Sequence, residues 1–226
     1  MAITIQKIFD KTRKLAKTSS AILTDAKLFD LTNETYLDIQ RALANEGIEI
    51  LGTIQKTDLV AGQENYQLPT DMLAILRLEI NYEDATDDTK WKKMSQSDLG
   101  NLPYEWYELL KKQPISKPLY DLFNAQLFVF PKPTTNQTAG LRIWYIQRQP
   151  DFTNTSDSIP QILDNYWDVF CYGNAWRYLE EVGEPQADRY MQLYQAYLQK
   201  MIADLKTEVI EPIKITIPPY FCNGWL

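Results

Sequence analysis

The sequence has no histidine among its 226 residues. Histidine is the side chain that proteins use most often as a general base and as a metal ligand, and it activates serine and cysteine nucleophiles. Its absence excludes all of these arrangements and leaves an enzyme only carboxylate or lysine chemistry. A carboxylate-based hydrolase needs two close, buried acids, and the only acidic pairs that stand out lie in polar stretches. We therefore expect a protein that is not an enzyme.

Cysteine, glycine and long apolar runs are also scarce. The two cysteines, Cys171 and Cys222, are too few for a disulfide framework and form no closely spaced metal-binding pair. The eight glycines are scattered, so no Gly-rich loop is available to hold a phosphate. No apolar run approaches the ~18 residues that a membrane span needs. We expect no metal, no cofactor and no membrane segment, and synthesis in a reducing, intracellular compartment.

Positive charge is in the minority, because 23 Lys and Arg face 30 Asp and Glu for a net charge of −7. Binding DNA or RNA through its phosphates requires clustered positive charge. The negative net charge therefore disfavours a protein whose main task is to bind nucleic acid. It is compatible with a protein past which nucleic acid moves without being bound. The acidic pairs at 83–84 and 87–88 lack the spacing of a calcium loop and are interpreted as a solvated loop.

Helical periodicity marks the first 50 residues. An apolar stripe over residues 3–16 predicts a short amphipathic helix. Thr24 or Asp25 can cap a second helix by accepting orphan N–H groups, and Gly47 is suited to end that helix. Both helices are amphipathic and need partners to be stable.

Helical periodicity returns after Pro160. One helix is predicted from there to the break at Gly183-Glu184-Pro185, and another from about 186 to 207. The aromatic density of this pair is high. Trp167 and Trp176 are interpreted as core residues, and Cys171 as a small buried apolar residue. The surplus tyrosines favour contacts with neighbouring subunits: Tyr190, Tyr194 and Tyr197.

The period is two between residues 50 and 150, where short β-favouring runs alternate with turn residues. Asn124-Ala125 predicts a tight turn between two of these runs, and residues 131–140 read as a loop. A short helix is predicted over residues 95–110. The runs that predict strands are 53–57, 64–68, 73–82, 91–94, 119–123, 126–130 and 141–148.

These patterns together predict an α+β fold. The simplest arrangement is a helical bundle, made of the N-terminal and C-terminal helices, with an inserted antiparallel β region. The predicted domains are a bundle formed by residues 1–50 and 160–207, a β-rich insertion over 51–159, and an extended C-terminal arm over 208–226.

The arm combines the pattern of a strand with a large apolar content. Isoleucines at 213, 215 and 217 alternate with polar residues, and two prolines then forbid helix and remove backbone donors. Either its own domain or a partner subunit could hold such a segment; we favour a partner that takes the strand on a sheet edge. The residues predicted to bind the partner are Ile213, Ile215, Ile217, Pro218, Pro219, Tyr220, Phe221, Trp225 and Leu226.

The order of elements and three short phrases carry a family resemblance. Gly62-Gln-Glu-Asn-Tyr-Gln-Leu-Pro-Thr-Asp71 precedes a predicted strand, and Gln126-Leu-Phe-Val-Phe-Pro-Lys-Pro133 and Leu141-Arg-Ile-Trp-Tyr-Ile146 follow it. This layout, over about residues 20–205, resembles the head-to-tail adaptor proteins of tailed bacteriophages. A Gly-x-x-x-Tyr-x-Leu-Pro-x-Asp segment commonly precedes the first inserted strand in that family.

The resemblance implies a virion structural protein, made in the cytoplasm of the bacterial host and located at the portal vertex. Such adaptors form rings, typically of twelve copies, that bind the portal protein and extend the DNA channel. They present a platform for tail or nozzle proteins, and double-stranded DNA passes through without sequence-specific binding. In some members the C-terminal segment embraces the portal, a role that residues 213–226 would take here.

A second interpretation is a ligand- or glycan-binding module of a phage tail or surface assembly. Its support is the aromatic content of the β region, namely Trp91, Trp106, Trp144 and Tyr145. Exposed aromatics that converge on one concave surface would favour it, whereas aromatics at subunit contacts would favour the adaptor.

Overall fold

The computed structural model describes residues 2–97 and 112–209, with side chains up to Lys206. Most of the helix predicted over 95–110, and the predicted partner-binding residues of the C-terminal arm, lie outside the described residues. The described chain confirms the α+β class, with helices toward both ends and strands between them. The described residues divide into two compact units, one formed by residues 2–35 and 152–209 and the other by residues 36–97 and 112–151.

Four α-helices occur in the described residues: α1 (Ile5–Leu15), α2 (Asp25–Asn45), α3 (Trp167–Glu181) and α4 (Ala187–Val209). All four were predicted, with ends within a few residues except at the start of α3. The Thr24 hydroxyl accepts a hydrogen bond from the Lys27 amide and so caps α2. Gly47 and Gly183 have φ angles of +67° and +73°, so each follows its helix in the left-handed conformation that glycine adopts without strain.

The start of α3 differs from the prediction. The chain after Pro160 first forms a 3₁₀-helix, Gln161–Tyr166, and becomes α-helical only at Trp167. The tighter turn begins with a hydrogen bond from the Leu163 amide to the Pro160 carbonyl. Leu163 is fully buried, whereas Ile162 is 41% exposed.

In the first unit, α3 packs against both α1 and α4. Ile5, Ile8 and Phe9 fill the core from α1, and Phe170 and Cys171 fill it from α3. Burial raises the pKa of the Cys171 thiol, so this cysteine is an inert core residue, as predicted.

A buried polar contact joins α2 to α3. The Asn174 side chain accepts a hydrogen bond from the Thr35 hydroxyl at 2.9 Å and donates one to the Thr32 hydroxyl at 2.7 Å. All three residues are fully buried, and these bonds supply partners that water cannot. The neighbouring Gly173 permits the close approach, because a Cβ there would lie 2.6 Å from Cγ2 of Thr35.

The second unit contains two four-stranded sheets. The first has the strand order β1 (Gly52–Leu59), β8 (Gln137–Gln147), β3 (Met72–Ile80) and β4 (Lys92–Lys93), all antiparallel. The second has the order β2 (Asn65–Gln67), β7 (Gln126–Phe130), β6 (Leu119–Phe123) and β5 (Ser95–Gln96). Their shared core includes Leu59, Tyr66, Leu78, Ile80, Leu127, Val129, Leu141, Ile143 and Tyr145.

Strands β6 and β7 have the predicted bounds. The turn between them is also as predicted, with φ angles of +51° at Asn124 and +58° at Ala125. Positive φ at both central residues gives the turn a twist that matches a hairpin.

Two predictions in this region were wrong. Ser95–Gln96 is a strand that pairs in parallel with β6, not the start of a helix. Its backbone forms hydrogen bonds with the β6 segment instead of bonds within a helix. β8 begins at Gln137, inside the predicted loop, where a shift in register between Thr57 and Leu59 on β1 absorbs the irregular start.

The packing at Gly173 leads to a first prediction. Gly173→Ala should lower the free energy of unfolding by about 1–3 kcal/mol, because its methyl group overlaps the Thr35 side chain. Urea denaturation measures the loss.

The matched test is the double variant Gly173→Ala, Thr35→Ser. Serine lacks Cγ2, the atom nearest to the added methyl group, but keeps the hydroxyl that bonds to Asn174. Part of the stability should therefore return relative to the sum of the single changes. Strictly additive losses would contradict the proposed overlap.

Candidate interaction surfaces

The outward face of the first sheet carries two rows of paired side chains. On β8, Leu141, Ile143 and Tyr145 point to the core, so Arg142 and Trp144 occupy the opposite face. The register places Trp144 beside Ile54 of β1 and Arg77 of β3. Strand alternation thus separates an apolar core face from a mixed aromatic and cationic face.

The first row centres on Trp144. The Arg77 guanidinium lies over its ring at 4.3 Å from the centroid, and the Trp144 indole N–H donates to Glu79 at 2.9 Å. Glu79 also pairs with Arg77, at 3.3 Å between Nε and Oε1. These contacts fix the ring and cover one of its faces.

The second row centres on Arg142. Its guanidinium lies 3.7 Å from the centroid of the Trp91 ring, and its Nη2 is 3.1 Å from Oδ1 of Asp88. The register adds Lys56 on β1 and Glu79 on β3 beside it. The two rows form a sheet face that bears arginines stacked on tryptophans.

Of the aromatics expected to support ligand binding, Tyr145 lies in the core at 5% exposure. Burial raises the pKa of its hydroxyl group, which donates to Asp71 at 3.2 Å. Trp91 and Trp144 are half-buried and each is covered by an arginine, while Trp106 lies outside the described residues. Trp91, Trp144 and Tyr145 therefore do not form the open stacking platform expected of a glycan-binding site.

A groove opens beside the first row, with a volume of about 480 Å³. Its floor includes Ile54, which is 43% exposed, and Leu76, which sits at the register shift of β3. Sequence reasoning did not single out Ile54 or Leu76. The alternation along 141–146 could have shown that Arg142 and Trp144 share a face, but not which residues of other strands flank them. The residues that line the groove are Glu49, Gly52, Thr53, Ile54, Leu76 and Trp144.

The acidic stretch at 83–88 is organised by Asn81, which is fully buried. The Asn81 side chain accepts from the amides of Glu83 and Asp84, both at 3.0 Å, and donates to the carbonyls of Asp84 and Asp87. Asp84 and Asp87 each accept from a threonine two residues further on. These bonds lower the pKa of both carboxyl groups. Their oxygens stabilise the loop itself.

The predicted subunit-contact tyrosines occupy different environments. Tyr194 is buried, and its ring stacks on Trp176 at 5.7 Å between centroids. Tyr190 is half-buried and donates to the Leu15 carbonyl at 3.1 Å. Tyr197 is 39% exposed and meets Tyr172 edge-on at 5.0 Å. The structure thus exposes Tyr197 most among the three.

The two tryptophans expected in the core are half-buried instead. Trp167 is the first residue of α3, and lysines of α1 cover its ring: Lys7 at 4.7 Å and Lys11 at 4.2 Å from the centroid. Lys11 also pairs with Asp168. A position at a helix terminus leaves a large ring partly in water, and the cations then pack on it.

Within residues 2–97 and 112–209, no group of three or more acidic or cysteine side chains is placed to hold a metal ion. Among the same residues, no helix has both the length and the apolar character that crossing a membrane requires.

The Asn81 network generates a second prediction. Asn81→Ala should lower the free energy of unfolding by about 1–3 kcal/mol, because it deletes a fully buried side chain that makes hydrogen bonds to the loop backbone. Amide hydrogen exchange at Glu83 and Asp84 should accelerate. The exposed Asn65→Ala is the control and should change stability by less than about 0.5 kcal/mol. Equal effects of the two substitutions would contradict the role of Asn81.

The pH dependence of this loop follows from the lowered pKa values of Asp84 and Asp87. Their hydrogen bonds are present at neutral pH and should be lost as the pH falls through the folded-state values. The protection factors of the Thr86 and Thr89 amides, which correct the exchange rates for the intrinsic slowing of exchange in acid, should therefore fall as the pH is lowered.

Comparison with known proteins gives one match that spans most of the chain. The model of a family described as SU10 adaptor protein matches residues 3–213. No curated protein matches the sequence. The match covers both helical segments and the β region between them, in agreement with the resemblance to phage head-to-tail adaptors. The chain belongs to the SU10 adaptor protein family.

Proposed function

We propose that this protein is a phage structural component that forms a ring on the portal protein, extends the DNA channel and provides an attachment platform for tail or nozzle proteins. The observation that carries the proposal is the family match over residues 3–213. The protein acts in the virion by contacts with other proteins, not by catalysis.

We propose that the ring contains twelve copies, the number typical of the phage adaptors that the sequence resembles. Each copy carries a net charge of −7, so a ring is strongly acidic as a whole. Acidic residues that line a channel repel DNA phosphates and keep the DNA from adhering as it passes. The acidic balance therefore suits a conduit better than a DNA-binding protein.

The two parts of the chain have separate proposed roles. The helical segments and the β region between them form the body of the ring. Residues 210–226, which follow the end of α4, form an arm that engages another subunit, through the alternating isoleucines and the aromatic residues that follow them.

A third prediction tests the arm. A chain ended after Val209, the last residue of α4, should keep the circular dichroism and cooperative unfolding of the full protein, but should no longer join portal rings in negative-stain images. A second, full-length variant carries serine at Tyr220, Phe221, Trp225 and Leu226. It should also fail to join portal rings, because apolar contacts are proposed to hold the arm. Normal assembly of the truncated chain, or its unfolding, would contradict the proposed arm.

A fourth prediction tests the tyrosine contact between neighbouring copies. Tyr197→Glu places a charge at the exposed tyrosine and should weaken ring association by at least about tenfold. Gln195→Glu is the matched control, because Gln195 is exposed two residues away and gains the same charge. Native mass spectrometry of rings measures both. Equal weakening of ring association by the two substitutions would show that the added charge alone is responsible, and it would contradict a contact made by Tyr197.

A further inference from the structure

The first sheet ends in an open edge. Strand β1 has eight residues and pairs along one side with β8, and no other described strand pairs with it. Alternate backbone N–H and C=O groups on its outer side therefore lack a strand partner among the described residues. Long edges of this kind are usually shortened, bulged or covered, since they readily pair with another chain. Here Thr53, Ile54 and Thr57 give the edge a high strand propensity.

The groove that Ile54, Leu76 and Trp144 line together with Glu49 and Thr53 lies beside this edge. Ile54 projects from β1 at 43% exposure, and Trp144 is its register partner on β8. Gly52 keeps the groove open, because a Cβ there would lie 2.8 Å from the Glu49 carbonyl oxygen and 3.4 Å from Cδ1 of Leu76. A strand added to β1 would place every second side chain over this groove.

The chain contains a segment with the matching pattern. Residues 213–217 alternate isoleucine with Lys214 and Thr216, and Pro218 and Pro219 end the strand pattern. On an added strand the three isoleucines would face the groove beside Ile54. Lys214 and Thr216 would then face the same side as Thr53, Gln55 and Thr57 of β1, which are half-buried polar residues. The polar side of β1 would thus meet polar residues of the donor, and Ile54 would meet an isoleucine between Gly52 and Lys56.

We infer that residues 213–217 of one copy pair as an added strand with the β1 edge of a second copy and fill the groove at Ile54, Leu76 and Trp144. The inference rests on the proposed ring. A closed ring needs two different, complementary surfaces on each copy, and a donor strand with an acceptor edge supplies such a pair. Backbone hydrogen bonds give the contact its strength, and the isoleucine side chains fix its register.

The experiment uses the full-length protein in light and ¹⁵N-labelled forms, mixed before assembly. Lys56, which lies on the same face of β1 as Ile54, is replaced by the photoreactive p-benzoylphenylalanine. Mass spectrometry after illumination should find light-to-heavy cross-links from position 56 to residues 210–226. Cross-links only within copies of one label, only to the portal protein, or none at all would overturn the inference.

Matched substitutions test each half of the contact. Ile54→Lys and Ile215→Asp replace an apolar side chain on each side of the proposed contact by a charged one and should reduce the light-to-heavy cross-link at least about tenfold. Val60→Lys is the control for the edge, because Val60 is similarly exposed at 46% in the same unit. Thr216→Asp is the control for the arm, because residue 216 faces the other way. Equal yields in test and control variants would overturn the inference.

The same samples separate this inference from the proposed function. Light-to-heavy cross-links without rings on the portal would contradict the proposed ring and leave the strand pairing in place. Rings that form equally well with Ile54→Lys and Ile215→Asp, without the cross-link, would contradict the strand pairing and leave the proposed function in place.

Discussion

The helical unit depends on the close approach of α2 and α3 at Gly173. Only a residue without a side chain fits against Thr35, and the approach brings Thr32 and Thr35 within hydrogen-bond distance of Asn174. These buried polar groups satisfy one another and restrict how the two helices can align. The surrounding apolar residues supply most of the stabilisation, but apolar contacts alone would tolerate sliding. The polar contact therefore sets the register of α3, against which α1 and α4 pack.

In the β unit, strand β8 has the equivalent position. It is the longest strand and pairs with both β1 and β3, so its alternation determines which residues of three strands share a face. One face builds the core. The other face gathers tryptophans that are covered by Arg77 and Arg142. The same alternation also places Trp144 beside Ile54 and so creates the groove next to the open edge.

These features fit a protein that works through contacts with other chains. The described residues contain no metal-binding cluster, and the ordered acidic loop uses its carboxylates to hold its own backbone. Another protein can cover the strand edge of β1, the groove beside it and the exposed Tyr197. The family match likewise identifies a phage adaptor structural protein.

Most of the elements and their order could be predicted from local sequence patterns. Local periodicity and turn chemistry predict helices α1, α2 and α4, the hairpin of β6 and β7, and the turn at Asn124. The structure confirms these elements. These properties depend on residues close in the chain. The family resemblance could also be recognised from the sequence, because it consists of short sequence motifs in a fixed order.

Strand pairing, groove formation and the burial of particular side chains depend on residues far apart in the chain, so only the tertiary structure reveals them. The parallel pairing of Ser95–Gln96 and the groove between Ile54 and Trp144 each need partners that no local pattern specifies. The burial of Tyr194 and the exposure of Tyr197 likewise depend on which face of α4 meets α3. A helix presents aromatic residues on several sides, and only the packing of its neighbours determines which side meets water.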